Sequence, residues 1–487
     1  MKTIAVYRSL LGAALLFFIP LALVAHAADA RPNIVFILAD DLGRGDLGCY
    51  GQTRIKTPNL DRLATEGMKF MQHYSGSCVC APSRCTLMTG QHTGHAHVRA
   101  NKEGGRGYAG AEGQLPIPAA TVTVAKLLKA RGYMTAAIGK WGLGGPESEG
   151  HPNQQGFDLF FGYLCQRKAH THYPDYLWSN SEKVTLAGNQ TVVENNRLVQ
   201  VSAKQYSQDL MTDEALKFVR QNSTKPFFLY LPYTVPHLAL QVPDDSLVEY
   251  AGKLPEIPYD GKQGYLAHPT PRAAYAAMVT RMDREVGRLL SLLKELHLDE
   301  NTIVFFSSDN GPITLAGADA KFFNSAENFR GQKMDLYEGG IRTPLLARWP
   351  GKIKPGSTTE HVSAFWDVLP TLVEIAGGKP PAGLDGISFL PTLLGRGEQR
   401  RHEFLYWEYH ERGGSQAVRM GDWKAVRQKI MSRSDGPIEL YDLGRDVGEK
   451  GDVAAAHPDV VAKIARLFVA ARTPSKEFPT PIDNVKP

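Results

Sequence analysis

Four apolar runs, each closing on polar or charged residues, constrain this chain more than any other feature. They are Asn33-Ile34-Val35-Phe36-Ile37-Leu38-Ala39, Met134-Thr135-Ala136-Ala137-Ile138, Phe227-Phe228-Leu229-Tyr230-Leu231 and Thr302-Ile303-Val304-Phe305-Phe306-Ser307. The first is continuous rather than alternating, as in a parallel strand covered on both faces. Helical stretches lie between them. From Pro271 onward, Tyr275, Met278, Met282, Val286, Leu289, Leu293 and Leu296 keep one face apolar at steps of three and four. The fold class read from this is α/β. In open sheets of that class, ligands bind outside the carboxyl ends of strands. Asp40 and Asp41 follow the first run and Lys140 the second; His237 lies past the third, and Asp309-Asn310-Gly311 past the fourth. Adjacent carboxylates repel unless a cation sits between them, and oxygen donors alone favour calcium or magnesium over zinc. Plainer readings exist: paired aspartates cap turns, Asp-Asn-Gly is a common turn string, and lone lysines and histidines are usually superficial or structural.

The densest chemistry lies in Cys80-Ala81-Pro82-Ser83-Arg84-Cys85-Thr86-Leu87-Met88-Thr89-Gly90. A lone cysteine is most often a small buried hydrophobe. Here Pro82 holds Ala81 out of helical geometry, and nothing from Ser83 to Met88 forbids a helix. Cys80 is expected just before the helix N-terminus, where backbone N–H groups favour an anion. Arg84 falls one turn on, as a permanent cation. Nucleophile, anion cradle and cation together suggest chemistry on an oxyanion ester.

Cys-x-Pro-Ser-Arg-x-x-Leu-x-Thr-Gly resembles, at every fixed position, the signature of the type I, formylglycine-dependent sulfatases of the alkaline phosphatase superfamily. The resemblance implies a large mixed, mostly parallel sheet flanked by helices, plus a small C-terminal antiparallel sheet with a helix. It implies that a formylglycine-generating enzyme oxidises Cys80, whose hydrated aldehyde is the nucleophile. It implies one calcium ion per chain, held by Asp40, Asp41, Asp309, Asn310 and residue 80. Arg84, Lys140 and His237 match groups around the sulfate. Lys333, before Glu338-Gly339-Gly340-Ile341-Arg342, matches the leaving-group lysine; Glu338 and Arg342 read as structural. One position departs: Gly142, in Gly139-Lys140-Trp141-Gly142-Leu143-Gly144, stands where the family has a histidine contacting the formylglycine. His170 is expected to reach that place, with His172 second.

The implied reaction is in-line attack on sulfur by one hydroxyl of the hydrated aldehyde, with His237 and Lys333 protonating the leaving alcohol. The remaining hydroxyl then expels sulfate. Family habit favours a sulfated carbohydrate over an aryl sulfate. The rivals are a phosphate or phosphonate ester hydrolase of the same fold, and a non-catalytic sulfated-glycan binder should Cys80 stay unmodified.

Lys2 and Arg8, the apolar stretch 10–25 and Ala25-His26-Ala27 read as a secretory signal over 1–27. The expectation is an exported protein, periplasmic or secreted, free of the membrane after cleavage. A net charge of +5 is too weak to suggest nucleic acid. A catalytic domain is expected over 28–395 and a subdomain over 396–487 that completes the substrate pocket, with short strands near 404–409, 416–419, 423–427 and 438–443 and a helix over 454–472. His410, Glu411 and Arg412 either line that pocket or form a solvated turn. Residues 242–269 read as an excursion over the site. The odd count of five cysteines leaves Cys80 unpaired; the other four could form up to two bridges or none, and free, buried thiols are expected. His92, His95 and His97 read as surface or pocket-lining residues rather than a second metal site.

Overall fold

The computed structural model describes residues 1–3, 31–103, 112–194 and 197–484. The signal segment expected over 1–27 therefore lies, beyond its first three residues, outside the described residues. A ten-stranded sheet forms the centre. From edge to edge its strands are Ser357–Thr359, Met68–Phe70, Leu345–Arg348, Thr302–Ser308, Asn33–Ala39, Phe227–Pro232, Met134–Lys140, Leu159–Tyr163, Tyr176–Ser179 and Glu182–Thr185. The strands from Thr302–Ser308 to Leu159–Tyr163 are parallel, and antiparallel pairs flank them. The sheet is thus mixed and mostly parallel at its core.

Alternating side chains explain why the central runs are apolar throughout. Val35, Ile37, Leu229, Leu231, Val304 and Phe306 face the helices Ser207–Gln221 and Pro271–Glu295. Ile34, Phe36, Leu38, Phe228, Tyr230, Ile303 and Phe305 face Cys80–Thr89, Val124–Lys129 and Val368–Ile375. Both faces are dry, so neither set can be polar. Ala39 pairs with Ser308 and Leu38 with Pro232, which brings the carboxyl ends of three strands level.

A separate four-stranded antiparallel sheet follows: Leu405–Tyr409, Ser415–Met420, Trp423–Gln428 and Ile438–Asp442. The helix Pro458–Ala470 covers one face through Ile464 and Phe468. The other face packs Trp407, Tyr409 and Val426 against Tyr74, Trp366 and Leu336. Buried Glu408 accepts from Arg99, Arg472, Tyr406 and His410, joining the two sheets' surroundings.

The segment 68–74 is split between two sheets. Met68–Phe70 belongs to the large sheet, while His73–Tyr74 pairs with Ser363–Ala364. Arg44 and Arg342 both donate to the Met71 carbonyl, which removes that acceptor from the ladder. The hairpin Gln190–Glu194 with Arg197–Ser202 has no counterpart in the sequence reading, because its residues carry no regular apolar face.

Candidate active site

Cys80 is the first residue of its helix, and Ala81, expected outside helical geometry, lies within it; the extended residue is Val79 instead. Pro82 sits in the first turn, where its missing N–H has no partner to lose. The Ser83 hydroxyl accepts from Gly76 N at 3.1 Å. Gly90, at φ 69°, ends the helix in the left-handed region. Ser83 and Gly90 thus hold the ends of this helix, while Cys80 and Arg84 face the edge of the sheet.

Asp40, Asp41, Asp309 and Asn310 gather there with Cys80. Cys80 Sγ lies 3.5 Å from Asp40 Oδ1 and 3.6 Å from Lys333 Nζ. Lys140 Nζ is 2.5 Å from Asp40 Oδ2, and Lys333 Nζ 2.7 Å from Asp41 Oδ2. Arg84 donates Nε and Nη2 to Asp309 Oδ2 at 3.0 and 2.7 Å. Three buried cations therefore match three buried carboxylates. Asp41 holds φ 64°, a strained conformation for a residue with a side chain. Its N–H donates to Asp309 Oδ1 at 3.2 Å, and Asn310 Nδ2 donates to its Oδ1 at 2.8 Å.

The electrostatics follow from this packing. Burial opposes ionisation of Asp40, but Lys140, His237, Arg84 and Lys333 override it and hold its carboxyl well below the usual range. Burial and the neighbouring Asp40 push Asp309 up to about 6 despite Arg84. Burial and Asp40 also raise the Cys80 thiol above its ordinary value. An unmodified Cys80 is therefore a neutral thiol and a poor nucleophile.

His237 Nε2 is 3.5 Å from Asp41 Oδ2, and its Nδ1 contacts the Leu238 carbonyl at 2.6 Å. That contact assigns the proton to Nδ1 and leaves Nε2 an acceptor toward the site. His170 stacks on His237 at 4.9 Å, with Tyr265 of the 242–269 excursion 5.3 Å from it. Burial lowers both imidazoles, helped by Lys333 at His237 and by His237 at His170. His172 does not reach the cleft: its nitrogens meet Thr234 Oγ1 at 3.1 Å and the His237 carbonyl at 2.9 Å, so it props the His237 loop. The space beside Gly142 is taken by Gln166. A Cβ there would lie 2.6 Å from Gln166 Nε2. Gln166 escaped the sequence reading, yet it follows the Leu159–Tyr163 strand, and the strand-end rule that singles out Lys140 also points to it.

Asp41, Cys80, Lys140, His170, His237 and Lys333 line a cleft of about 290 Å³, with Gln166 beside them. Glu411 also lines it, while His410 turns away to Glu408. Glu338 accepts from Tyr74, Arg342 and Lys424, a structural role as expected. Ligand atoms of Asp40, Asp41, Cys80 and His237 lie within 4.8 Å of one another. Asn310 Oδ1 is buried without a hydrogen-bond partner. A buried acceptor of this kind is costly unless something is bound to it. With the three carboxylates it forms a hard, all-oxygen donor set, which fits calcium. His92, His95 and Asp385 also converge, but His92 Nδ1 accepts from Gly94 N and His95 Nδ1 bonds Asp385 at 2.9 Å, so hydrogen bonds account for them. All five cysteines are free, with Cys49 partly exposed and the others buried.

The Sulfatase family model matches residues 32–378. The chain belongs to the sulfatase family. It is accordingly a sulfuric ester hydrolase of the alkaline phosphatase superfamily. A second model, for the N-sulphoglucosamine sulphohydrolase C-terminal region, matches 329–469 of this sulfatase. The sulfatase is 35% identical to human arylsulfatase A, over 92% of this chain and 89% of that protein. It is 29% identical to an N-acetylgalactosamine-6-O-sulfatase of Bacteroides thetaiotaomicron, over 91% and 93%. Among solved structures, Ps i-CgsB in complex with k-i-k-neocarrahexaose aligns with TM-score 0.74 and 29% identity, over 90% of this chain and 92% of that one.

Proposed function

We propose that this sulfatase hydrolyses a sulfate monoester on a carbohydrate, after export, with a formylglycine at position 80 and one calcium ion. The observation that carries the reading is the gathering of Asp40, Asp41, Asp309 and Asn310 around Cys80 and its lysines. Side-chain charges there already balance, so a divalent cation leaves the site net positive, as an anionic ester requires. Bound calcium would supply Lewis-acid polarisation of the sulfate oxygens. Arg84 holds Asp309 and, from 3.4 Å, Asp40 in place. Lys140 and Lys333 bracket residue 80 and the nonbridging oxygens. Lys333 is placed to protonate the departing alcohol, His237 presents an unprotonated Nε2 to the site as a proton acceptor, and His170 stacks on the His237 ring. The neutral thiol at Cys80 supports oxidation to an aldehyde before any turnover. Two relatives with carbohydrate substrates or ligands in their names support a sulfated sugar over an aryl ester.

The reading further assigns a signal over 1–27, a catalytic domain over 28–395 and a pocket-completing subdomain over 396–487. It requires a formylglycine-generating enzyme as maturation partner and no nucleic acid or membrane. Among the described residues, no helix is long and apolar enough to cross a membrane. The test is mass spectrometry across residues 78–90 alongside sulfate release from sulfated and phosphorylated sugars. The expected result is an aldehyde mass and release of sulfate alone. Phosphate release without sulfate release, or an unmodified thiol in active protein, would overturn the reading.

A further inference from the structure

We propose that Gln166 is a binding residue of this site: its amide donates a hydrogen bond to an oxygen of the anion held at Cys80. The inference rests on the sulfatase reading for the identity of that anion. Three independent observations support it. Gln166 is only 6% exposed, and its Nε2 is buried without a hydrogen-bond partner. It lines the same cleft as Cys80, Lys140 and His237. Its amide occupies the space that a side chain on residue 142 would need, with Nε2, Cγ and Cδ at 2.6, 2.8 and 2.9 Å from an ideal Cβ there. Gly142, at φ 81°, both adopts the turn and makes that room.

A desolvated N–H without an acceptor is costly. An anionic ester in the cleft offers that acceptor, and hydrogen bonds to charged groups are the stronger kind. An amide has no proton to give or take near neutral pH. Gln166 therefore binds and orients, while proton traffic stays with His237 and Lys333.

The test is calorimetric titration of the calcium-loaded mature chain with inorganic sulfate. Gln166→Met keeps the volume and removes the amide; it should weaken sulfate binding at least about tenfold. Gln166→Glu should weaken it more, through charge. In turnover, Gln166→Met should raise KM while leaving the pH profile of kcat in place, which a merely structural change would not separate. Gly142→Ala, which displaces the amide, should cost similar affinity and add little to Gln166→Met. Sulfate affinity unchanged in Gln166→Met, or no sulfate binding by the unaltered chain, overturns the proposal. Sulfate binding that depends on Gln166 in a chain that releases no sulfate from any sugar overturns the enzymatic reading and leaves this one standing.

Discussion

Cys80 and Asn310 show how single residues carry this site. Cys80→Ser places an alcohol where the aldehyde is proposed. An alcohol can accept the sulfuryl group but lacks the second hydroxyl that expels it, so turnover should cease or stall on a sulfated serine, visible as an intact-mass increase after substrate is added. Asn310→Ala removes the unpartnered Oδ1 without touching Arg84, Lys140 or Lys333. Calcium affinity should fall by at least about tenfold, read as a smaller calcium-induced rise in melting temperature. Activity should then recover when calcium is raised.

At the scale of elements, the helix Cys80–Thr89 is positioned by a contact that tolerates no extra atom. A Cβ on Gly76 would lie 1.5 Å from Thr86 Oγ1. Gly76→Ala should therefore destabilise the protein by about 1–3 kcal/mol, measured by denaturant unfolding, and lower activity by shifting Cys80. The strands and the aspartates that gather beside Cys80 were legible in the sequence because period and strand-end position are local signals. The break at Met71 was not, since Arg44 and Arg342 claim its carbonyl from distant parts of the chain. From the sequence, His170 ranks ahead of His172 without a contact to decide between them. Only the fold reveals that Thr234 and the His237 carbonyl occupy one of them. Gln166 lay hidden because a glutamine after a strand carries no chemical flag; only the crowding at Gly142 marks it.

At the scale of the molecule, the two sheets are bonded through buried charge. Removing the Glu408 carboxylate leaves buried Arg99 without its carboxylate partner, while Arg472 keeps Asp483, so Glu408→Ala should cost about 3–5 kcal/mol, seen as a lowered unfolding midpoint. A second junction titrates. Burial works against charge on His402, but Asp367, 2.8 Å from its Nε2, holds the imidazole above its usual value of 6.5. A raised histidine stabilises fully below that value, and the contribution is lost as pH rises through the folded-state pKa. His402→Gln should flatten this decline, a difference of about 1–3 °C in melting temperature measured on either side of the transition. Burial of Cys80, 2% exposed beneath groups drawn from the carboxyl ends of the central strands, also sets a timetable. If that thiol is oxidised as proposed, its oxidising enzyme has to meet the chain while it is still extended, before the strand at Thr302–Ser308 arrives to seal the edge. A copy that closes too early is well folded and inert for life, so the fraction of working molecules becomes a race between folding and oxidation.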